Sequence, residues 1–121
     1  MATIKSFTDL SQSKTLSKIL PLESADKHWI ILDGAINRAR VYDEFDLREF
    51  NFDKNTLREY IPCWSLAALL SVLPNGIVMN KDSQNGRYHF SSKYIGTYVT
   101  ADNPVDACYK LILKLNELNL L

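Results

Sequence analysis

The middle of the chain reads Ile61-Pro62-Cys63-Trp64-Ser65-Leu66-Ala67-Ala68-Leu69-Leu70-Ser71-Val72-Leu73-Pro74. Because proline is tolerated in the first turn of a helix and cannot continue one, Pro62 and Pro74 predict a helix of about two to three turns between them. Leucines recur at helical spacing along it, and alanine and valine fill most of the opposite side, so that only Ser65 and Ser71 are polar. We therefore expect a core helix that is buried on nearly all sides. Its roughly 13 apolar residues are too few for a membrane span, which needs about 20.

Length and charge limit the classes of protein to which the chain can belong. Its 121 residues predict one domain over 1–121, and 14 basic against 14 acidic side chains give no net charge. The neutral balance disfavours nucleic acid as a partner and makes a homo-oligomer easier to form. Because no apolar run follows the N-terminal charge and the two cysteines lie far apart, we expect a cytoplasmic protein without membrane contact.

The N-terminal half predicts a helix followed by a β-hairpin. Thr8 is placed to cap a first helix that runs through about Leu20. A β-favouring run over 28–32, an Asp-Gly turn signal and a return strand over 38–42 predict the hairpin.

The C-terminal half predicts three strands and a helix. The strands are expected at 76–80, 87–91 and 94–99, and their short polar connections favour antiparallel pairing. Asp102 or Asn103 caps the last helix, with Pro104 in its first turn. The order α-β-β-α-β-β-β-α predicts an α+β fold, in which helices pack on an antiparallel sheet of about five strands and the central helix is buried.

Three stretches of the chain resemble a group of short bacterial proteins without an assigned function, often encoded in mobile or phage-derived regions. The stretches are 19–26, the central Pro62–Pro74 helix and the final helix Ala101-Asp102-Asn103-Pro104-Val105-Asp106-Ala107-Cys108-Tyr109-Lys110-Leu111-Ile112-Leu113-Lys114-Leu115-Asn116-Glu117-Leu118. The resemblance covers about a third of the chain. It implies a small cytoplasmic accessory protein and supplies no ligand, cofactor or catalytic residue.

The enzymatic hypothesis rests on Cys63. A thiol at a helix N-terminus gains thiolate character, a tryptophan follows it as in papain-like hydrolases, and His89 lies on a later strand. Against this, Leu57 stands where such enzymes carry a glutamine, and Asp102 and Asn103 are better used as helix caps. We therefore expect Cys63 to be a buried apolar residue, with no catalysis.

Metal and nucleotide sites are not favoured by the sequence. His28, His89, Cys63 and Cys108 are scattered without the local pairs that zinc sites usually contain. The four glycines are isolated, so a phosphate-binding loop is not expected and neither is a cofactor. The acidic residues between 43 and 49 lack the spacing of a calcium loop.

Partner binding is the favoured function. The irregular segment 43–60 and its border carry five aromatic residues, which are typical of interfaces when they lie on loops: Tyr42, Phe45, Phe50, Phe52 and Tyr60. The alternative interpretation of these aromatic residues is that they pack over the sheet, and the sequence supports the two about equally. As the favoured function, we expect this aromatic-acidic segment to bind a protein partner. The alternatives are a small-molecule pocket between the central helix and the sheet, lined by Trp29, Trp64 and Tyr98, and the thiol hydrolase discussed above.

Overall fold

The computed structural model describes residues 5–32, 40–43, 58–92, 96 and 98–121. Within these ranges it contains three helices, six strands and one 3-10 turn. The helices are α1 (Leu10–Leu16), α2 (Leu66–Val72) and α3 (Pro104–Glu117), and the 3-10 turn is Leu22–Ser24. The strands are β1 (Lys27–Leu32), β2 (Arg40–Asp43), β3 (Arg58–Cys63), β4 (Ile77–Lys81), β5 (Tyr88–Ser92) and β6 (Tyr98–Ala101).

The strands form two three-stranded antiparallel sheets, in the orders β2-β1-β3 and β4-β5-β6. The α+β class is therefore confirmed. The strands predicted at 28–32 and 38–42 correspond to β1 and β2, which pair antiparallel, and those predicted at 76–80 and 87–91 correspond to β4 and β5. The strand predicted at 94–99 overlaps β6 only at Tyr98 and Val99, and residues 94, 95 and 97 lie outside the described residues. The single sheet of about five strands is not confirmed, because the strands divide into two sheets. Arg58–Cys63 forms a sixth strand, which sequence reasoning missed. Pro62 is tolerated there because β3 is an edge strand, where a missing N–H costs little.

The prediction of a central helix buried on nearly all sides is wrong. Helix α2 begins only at Leu66, capped by the Ser65 hydroxyl, and just Ala68 and Leu69 are buried along its length. Leu70 is 40% exposed. The reason is that α2 packs on α3 and on the 3-10 turn, so that one side of it faces solvent.

The helix caps differ in part from the sequence expectations. Asp9 caps α1 in a capping box with Gln12, and α1 ends at Leu16, four residues before the expected Leu20. Thr8, the expected cap, is fully buried. Asn103 caps α3 as one of the two predicted candidates. No helix among the described residues is long and apolar enough to cross a bilayer.

The main core lies between the three helices and the second sheet. Its fully or nearly buried members are Leu16, Leu20, Trp64, Ala68, Leu69, Phe90, Ala101, Val105, Ala107, Cys108, Leu111, Ile112 and Leu115. Among the described residues, no member of β1, β2 or β3 belongs to this cluster, and the first sheet has buried residues of its own: Ile30, Ile31, Ile61 and Cys63. Trp64 directly follows β3 and reaches the main core.

The N-terminal segment is held against the residues around Trp64. The Thr8 N–H donates to the Trp64 carbonyl at 2.9 Å, and the Leu66 N–H donates to the Ser6 carbonyl at 3.2 Å. The Trp64 N–H donates to the Thr8 hydroxyl at 3.2 Å, and its indole N–H donates to the Ser24 hydroxyl at 2.9 Å. We call this set of contacts the Trp64 junction, because it joins the N-terminus, the first sheet, the 3-10 turn and α2.

A polar network ties the N-terminal segment and α1 to the start of α3. Asp106 accepts hydrogen bonds, each of 2.8 Å, from the side chains of Lys5, Gln12 and Asn103. Partial burial raises the pKa of Asp106, but these bonds outweigh it and hold the pKa below the usual 3.8. For Lys5, burial lowers the pKa, but the bonds to Asp106 and Asp9 raise it by more, so that the pKa lies above its usual 10.5.

We expect the network to stabilise the fold above pH 3.8 and to lose that effect as the pH falls through the folded-state pKa of Asp106. The reason is that a group with a lower pKa in the folded state favours folding only while it is ionised. The Asp106→Asn variant should therefore be less stable than wild type at pH 7, and the difference should shrink as the pH falls below 3.8 and through the lowered pKa of Asp106.

Urea unfolding across this pH range measures the difference. Asp102→Asn is the matched control, since the Asp102 side chain is 87% exposed and bonds only weakly to Arg87 at 3.6 Å. A difference between wild type and Asp106→Asn that stays constant with pH would contradict the account.

Candidate partner-binding groove

An apolar groove of about 420 Å³ is the candidate site in the part of the chain that the structure describes. It lies where the turn after α1, the end of α2 and the C-terminal residues meet. Its lining residues are Ile19, Leu20, Pro21, Val72 and Leu121. We call it the leucine groove.

The first wall is formed by the turn that follows α1. The Leu16 carbonyl accepts the N–H groups of Ile19 at 2.9 Å and Leu20 at 2.8 Å, which continues the chain in a tight turn. Pro21 cannot donate a further backbone bond and ends the turn. Leu20 is buried in the core, whereas Ile19 is partly buried and Pro21 exposed, so this wall is fixed from below and open above.

The second wall is Val72, the last residue of α2. The start of α2 is fixed by Asp26, whose carboxylate accepts both the N–H of Ser65, at 2.9 Å, and its hydroxyl. The helix ends at Val72 because Leu73 is already extended and Pro74 follows. Both ends of the short helix α2 are therefore fixed in position. Val72 packs against the main core.

The third wall is positioned by a Schellman motif at the end of α3. Asn119 has a positive φ of 56°, the Leu120 N–H bonds to the Leu115 carbonyl at 2.9 Å, and the Asn119 N–H bonds to Asn116 at 3.1 Å. This motif reverses the chain direction, so that Leu121 lies over the groove. Asparagine is one of the few residue types that adopt this conformation readily.

Exposed leucines lie close in sequence to the residues that line the groove. Leu22, next to Pro21, is 58% exposed, and Leu121 itself is 48% exposed. Leu118 and Leu120, close to Leu121 in sequence, are exposed as well. An apolar surface of this kind marks an interaction site more often than single scattered apolar residues do.

The aromatic residues predicted to bind a partner are only partly described. Tyr42 on β2 is half-buried, and Tyr60 on β3 is 48% exposed. Their β1 partners are His28 and Ile30, two residues apart, so both tyrosines lie on one face of the first sheet. Phe45, Phe50 and Phe52 lie outside the described residues, and the 43–60 interface stays a prediction.

The three residues predicted to line a pocket lie in different environments. Trp29 on β1 is half-buried, donates to the Thr8 carbonyl at 3.2 Å and meets Phe7 edge to face. Trp64 is fully buried in the core, and Tyr98 on β6 is 58% exposed. None of the three lines the leucine groove.

Cys63 does not have the surroundings of an activated thiol. It is the last residue of β3, not a helix N-terminal residue, so the helix-dipole argument for it is wrong. Its side chain is fully buried beside Thr8, with Sγ 3.6 Å from the Thr8 hydroxyl. Burial raises its pKa, while hydrogen bonds to Thr8 and Ser13 lower it less. Burial also raises the pKa of Cys108 to about 12.

His89 lies on β5, in the second sheet, whereas Cys63 ends β3 in the first sheet. The neighbours of His89 include Tyr98 and Asp82. Its ring stacks on Tyr98 with centroids 5.2 Å apart, and its Nε2 is 3.8 Å from an Asp82 carboxylate oxygen. The backbone N–H groups of Gln84 and Asn85 hold the pKa of Asp82 below its usual value. Within the described ranges, no three histidine, cysteine or acidic residues converge as metal ligands would. His28 and Cys108, the other metal candidates, lie on β1 and α3.

Comparisons with known proteins give no independent assignment. No family model, no curated protein and no solved structure matches the chain. The resemblance to short proteins of mobile bacterial regions therefore stays a prediction.

Sequence reasoning missed the leucine groove because its lining residues lie at or just beyond the ends of three separate helices. The signal was present in the runs Ile19-Leu20-Pro21-Leu22 and Leu118-Asn119-Leu120-Leu121, which keep apolar residues where a helix has already ended. Helical periodicity placed Ile19 and Leu20 on the apolar stripe of a first helix expected to run through about Leu20, whereas that helix ends at Leu16. Their convergence becomes visible only when the ends of α1, α2 and α3 are placed together.

We expect Cys63 and Cys108 to react slowly with iodoacetamide at neutral pH while the protein is folded, because both thiols are buried and have raised pKa values. Mass spectrometry of the alkylated protein measures the rate. Ser83→Cys, in the exposed loop after β4, should label quickly as an internal reference. Rapid labelling of Cys63 in the native state would revive the thiol-enzyme hypothesis.

Proposed function

We propose that the protein is a non-enzymatic interaction module that binds a short apolar segment of a protein partner in the leucine groove. The observation that carries this proposal is the extent of apolar surface. Leu22 follows the lining residue Pro21 in sequence, and Leu118 and Leu120 lie just before the lining residue Leu121; all three are exposed although the chain has a well-packed core to receive such residues. Covering them removes apolar area from water, at about 25 cal/mol per Å².

A protein segment suits the groove better than a small molecule does. Small-molecule sites combine apolar walls with a few placed polar groups that orient the ligand. The side chains that line this groove are all apolar and offer no such group. A small molecule inside the groove would also leave Leu22 and Leu118 exposed, whereas a partner protein could cover both.

The charges beside the groove favour a partner of mixed polarity. Lys18 precedes the lining residue Ile19, and Glu23 follows Leu22, and both are exposed. An apolar centre with charges of both signs at its edge is the usual composition of a protein interface. A strongly acidic or basic partner gains nothing from this arrangement.

The predicted aromatic-acidic segment 43–60 belongs to the same proposal as a second contact surface. Its described members, Tyr42 and Tyr60, share one face of the first sheet. Together with the resemblance to mobile-region proteins, this favours a cytoplasmic accessory protein that acts by contact with other proteins. A second candidate function, small-molecule binding, is favoured by one observation alone, the groove volume of about 420 Å³.

We expect the double variant Leu22→Asp/Leu121→Asp to weaken partner binding at least about tenfold, because it places two charges on the apolar surface that the partner must cover. Affinity capture from native lysate, quantified by mass spectrometry, compares this variant with wild type. Tyr98→Asp is the matched control, since Tyr98 is as exposed as Leu22 but lies on β6.

Proteins captured by wild type and Tyr98→Asp, but lost with the double variant, would be groove partners. An identical captured set for all three proteins would contradict the proposal. If the double variant instead releases a small molecule seen by native mass spectrometry and retains every protein, the small-molecule alternative is correct.

A further inference from the structure

Strand β4 is exposed on both faces as well as along its edge. Val78 is 52% exposed and Met79 is 49% exposed, although they point to opposite sides of the sheet. Met79 pairs with Phe90, which is fully buried, so Met79 belongs to the core face and is nevertheless uncovered. Among the described strands β4 pairs with β5 alone, so no described strand pairs with its other edge.

In the part of the chain that the structure describes, β4 has few of the usual protections of an edge strand. Natural sheets guard their edges with proline, charged residues, bulges or a covering element. The sequence Ile77-Val78-Met79-Asn80-Lys81 has no proline and no acidic residue. Its one lysine is the last residue of the strand, and its ammonium lies 5.4 Å from the centre of the Tyr88 ring on β5.

The opposite edge of the same sheet is guarded. Strand β6 has only four residues, and the Lys110 ammonium donates a 2.8 Å hydrogen bond to the Thr100 carbonyl. Arg87 donates to the Thr100 hydroxyl at 3.1 Å, and Asp102 follows the strand as an exposed charge. The two edges of the sheet therefore differ, and β4 is the one suited to further pairing.

We propose that β4 pairs with β4 of a second copy of this chain, antiparallel and with Val78 opposite Val78, which joins the two second sheets into one of six strands. In this register Ile77 of each copy lies opposite Met79 of the other, on the core face. The half-exposed Met79 is thereby covered by an apolar neighbour. Val78 meets its own counterpart on the outer face.

Other registers match the side chains less well. If Met79 were the centre, Ile77 would lie opposite Lys81 and Val78 opposite Asn80, which places apolar against polar groups twice. In the Val78-centred register the strand is complementary to itself, since every apolar residue lies opposite an apolar residue. The sequence of β4 therefore favours a second copy of the chain over a strand from an unrelated protein.

Electrostatics does not oppose this pairing. In the Val78-centred register the two Lys81 residues are six positions apart, or about 20 Å along the strands. That distance exceeds the screening length of about 8 Å at physiological ionic strength. The chain carries no net charge, so whole-molecule repulsion between copies is absent. Because only Ile77, Val78 and Met79 of each strand lie opposite one another in this register, the interface is small and we expect micromolar rather than nanomolar affinity.

Sedimentation velocity over a concentration series, from low to high micromolar, tests the pairing and its register. Wild type should shift reversibly from monomer to dimer. Val78→Glu and Val78→Lys should each weaken self-association at least about tenfold, because like charges would lie directly opposite. An equimolar mixture of the two variants should restore the dimer, since position 78 then pairs opposite charges. Tyr98→Lys, two strands away on the same face, should behave as wild type.

Disulfide trapping supplies a second measurement if a charged variant fails to fold. Val78→Cys should form a covalent dimer under mild oxidation, while Tyr98→Cys should not, and the buried Cys63 and Cys108 do not compete. The proposal is overturned if wild type stays monomeric at every concentration, if the mixed charge variants do not recombine, or if Val78→Cys stays uncrosslinked. The leucine groove is not involved, so these results leave the proposed function unaffected.

Discussion

The fold depends on the contacts that Trp64 makes. The residue follows the last position of the first sheet and precedes the cap of α2, and its fully buried ring belongs to the main core. Its backbone exchanges hydrogen bonds with Thr8, and its indole N–H reaches Ser24. Burial of a tryptophan is worth several kcal/mol, and each satisfied buried polar group avoids a cost of about 1–3 kcal/mol. Helix α1, which contacts β3 and carries the core residue Leu16, is a second connection between the first sheet and the main core.

The leucine groove follows from the same contacts. Ser24 ends the 3-10 turn that begins at Leu22, next to Pro21, and α2 carries Val72. Trp64 donates a hydrogen bond to Ser24 and is followed directly by the cap of α2. It therefore fixes the position of the first wall, which ends at Pro21, relative to the second wall, which is Val72. The third wall is held by α3, which packs on α2. A binding surface made of short turns and a seven-residue helix can be preorganised in this way, because a buried anchor fixes its parts from below.

Local signals in the sequence predicted a substantial part of the fold. The hairpin followed from β-branched and aromatic residues around an Asp-Gly turn, and α3 followed from Asn103, Pro104 and a regular apolar stripe. The central segment misled because Pro62 is compatible with both a helix start and an edge strand, and because Cys63 and Trp64 extend the apolar run without being helical. Which state wins depends on pairing with β1, and the sequence around Pro62 does not contain that information.

The candidate site was less accessible to sequence reasoning. Aromatic composition directed attention to 43–60, whereas the leucine groove arises from residues after α1, in α2 and after α3, which only the tertiary structure brings together. Tyr98 was expected in a pocket, but alternation along β6 places it on the outer face with His89. Assigning a strand residue to the core or outer face requires the register and the covering elements, and a single chain with no alignment supplies neither.

Native-state hydrogen exchange of a Trp64→Phe variant tests most directly whether Trp64 holds the groove together. The account predicts that the amides of Leu20 and Ala25, which bond to Leu16 and Leu22, exchange at least about tenfold faster relative to amides of β5. Phe90→Leu is the control, because it weakens the same core at β5 and Phe90 makes none of the hydrogen bonds that define the Trp64 junction. Unchanged exchange at Leu20 and Ala25 in Trp64→Phe, or an equal loss in both variants, would contradict the account.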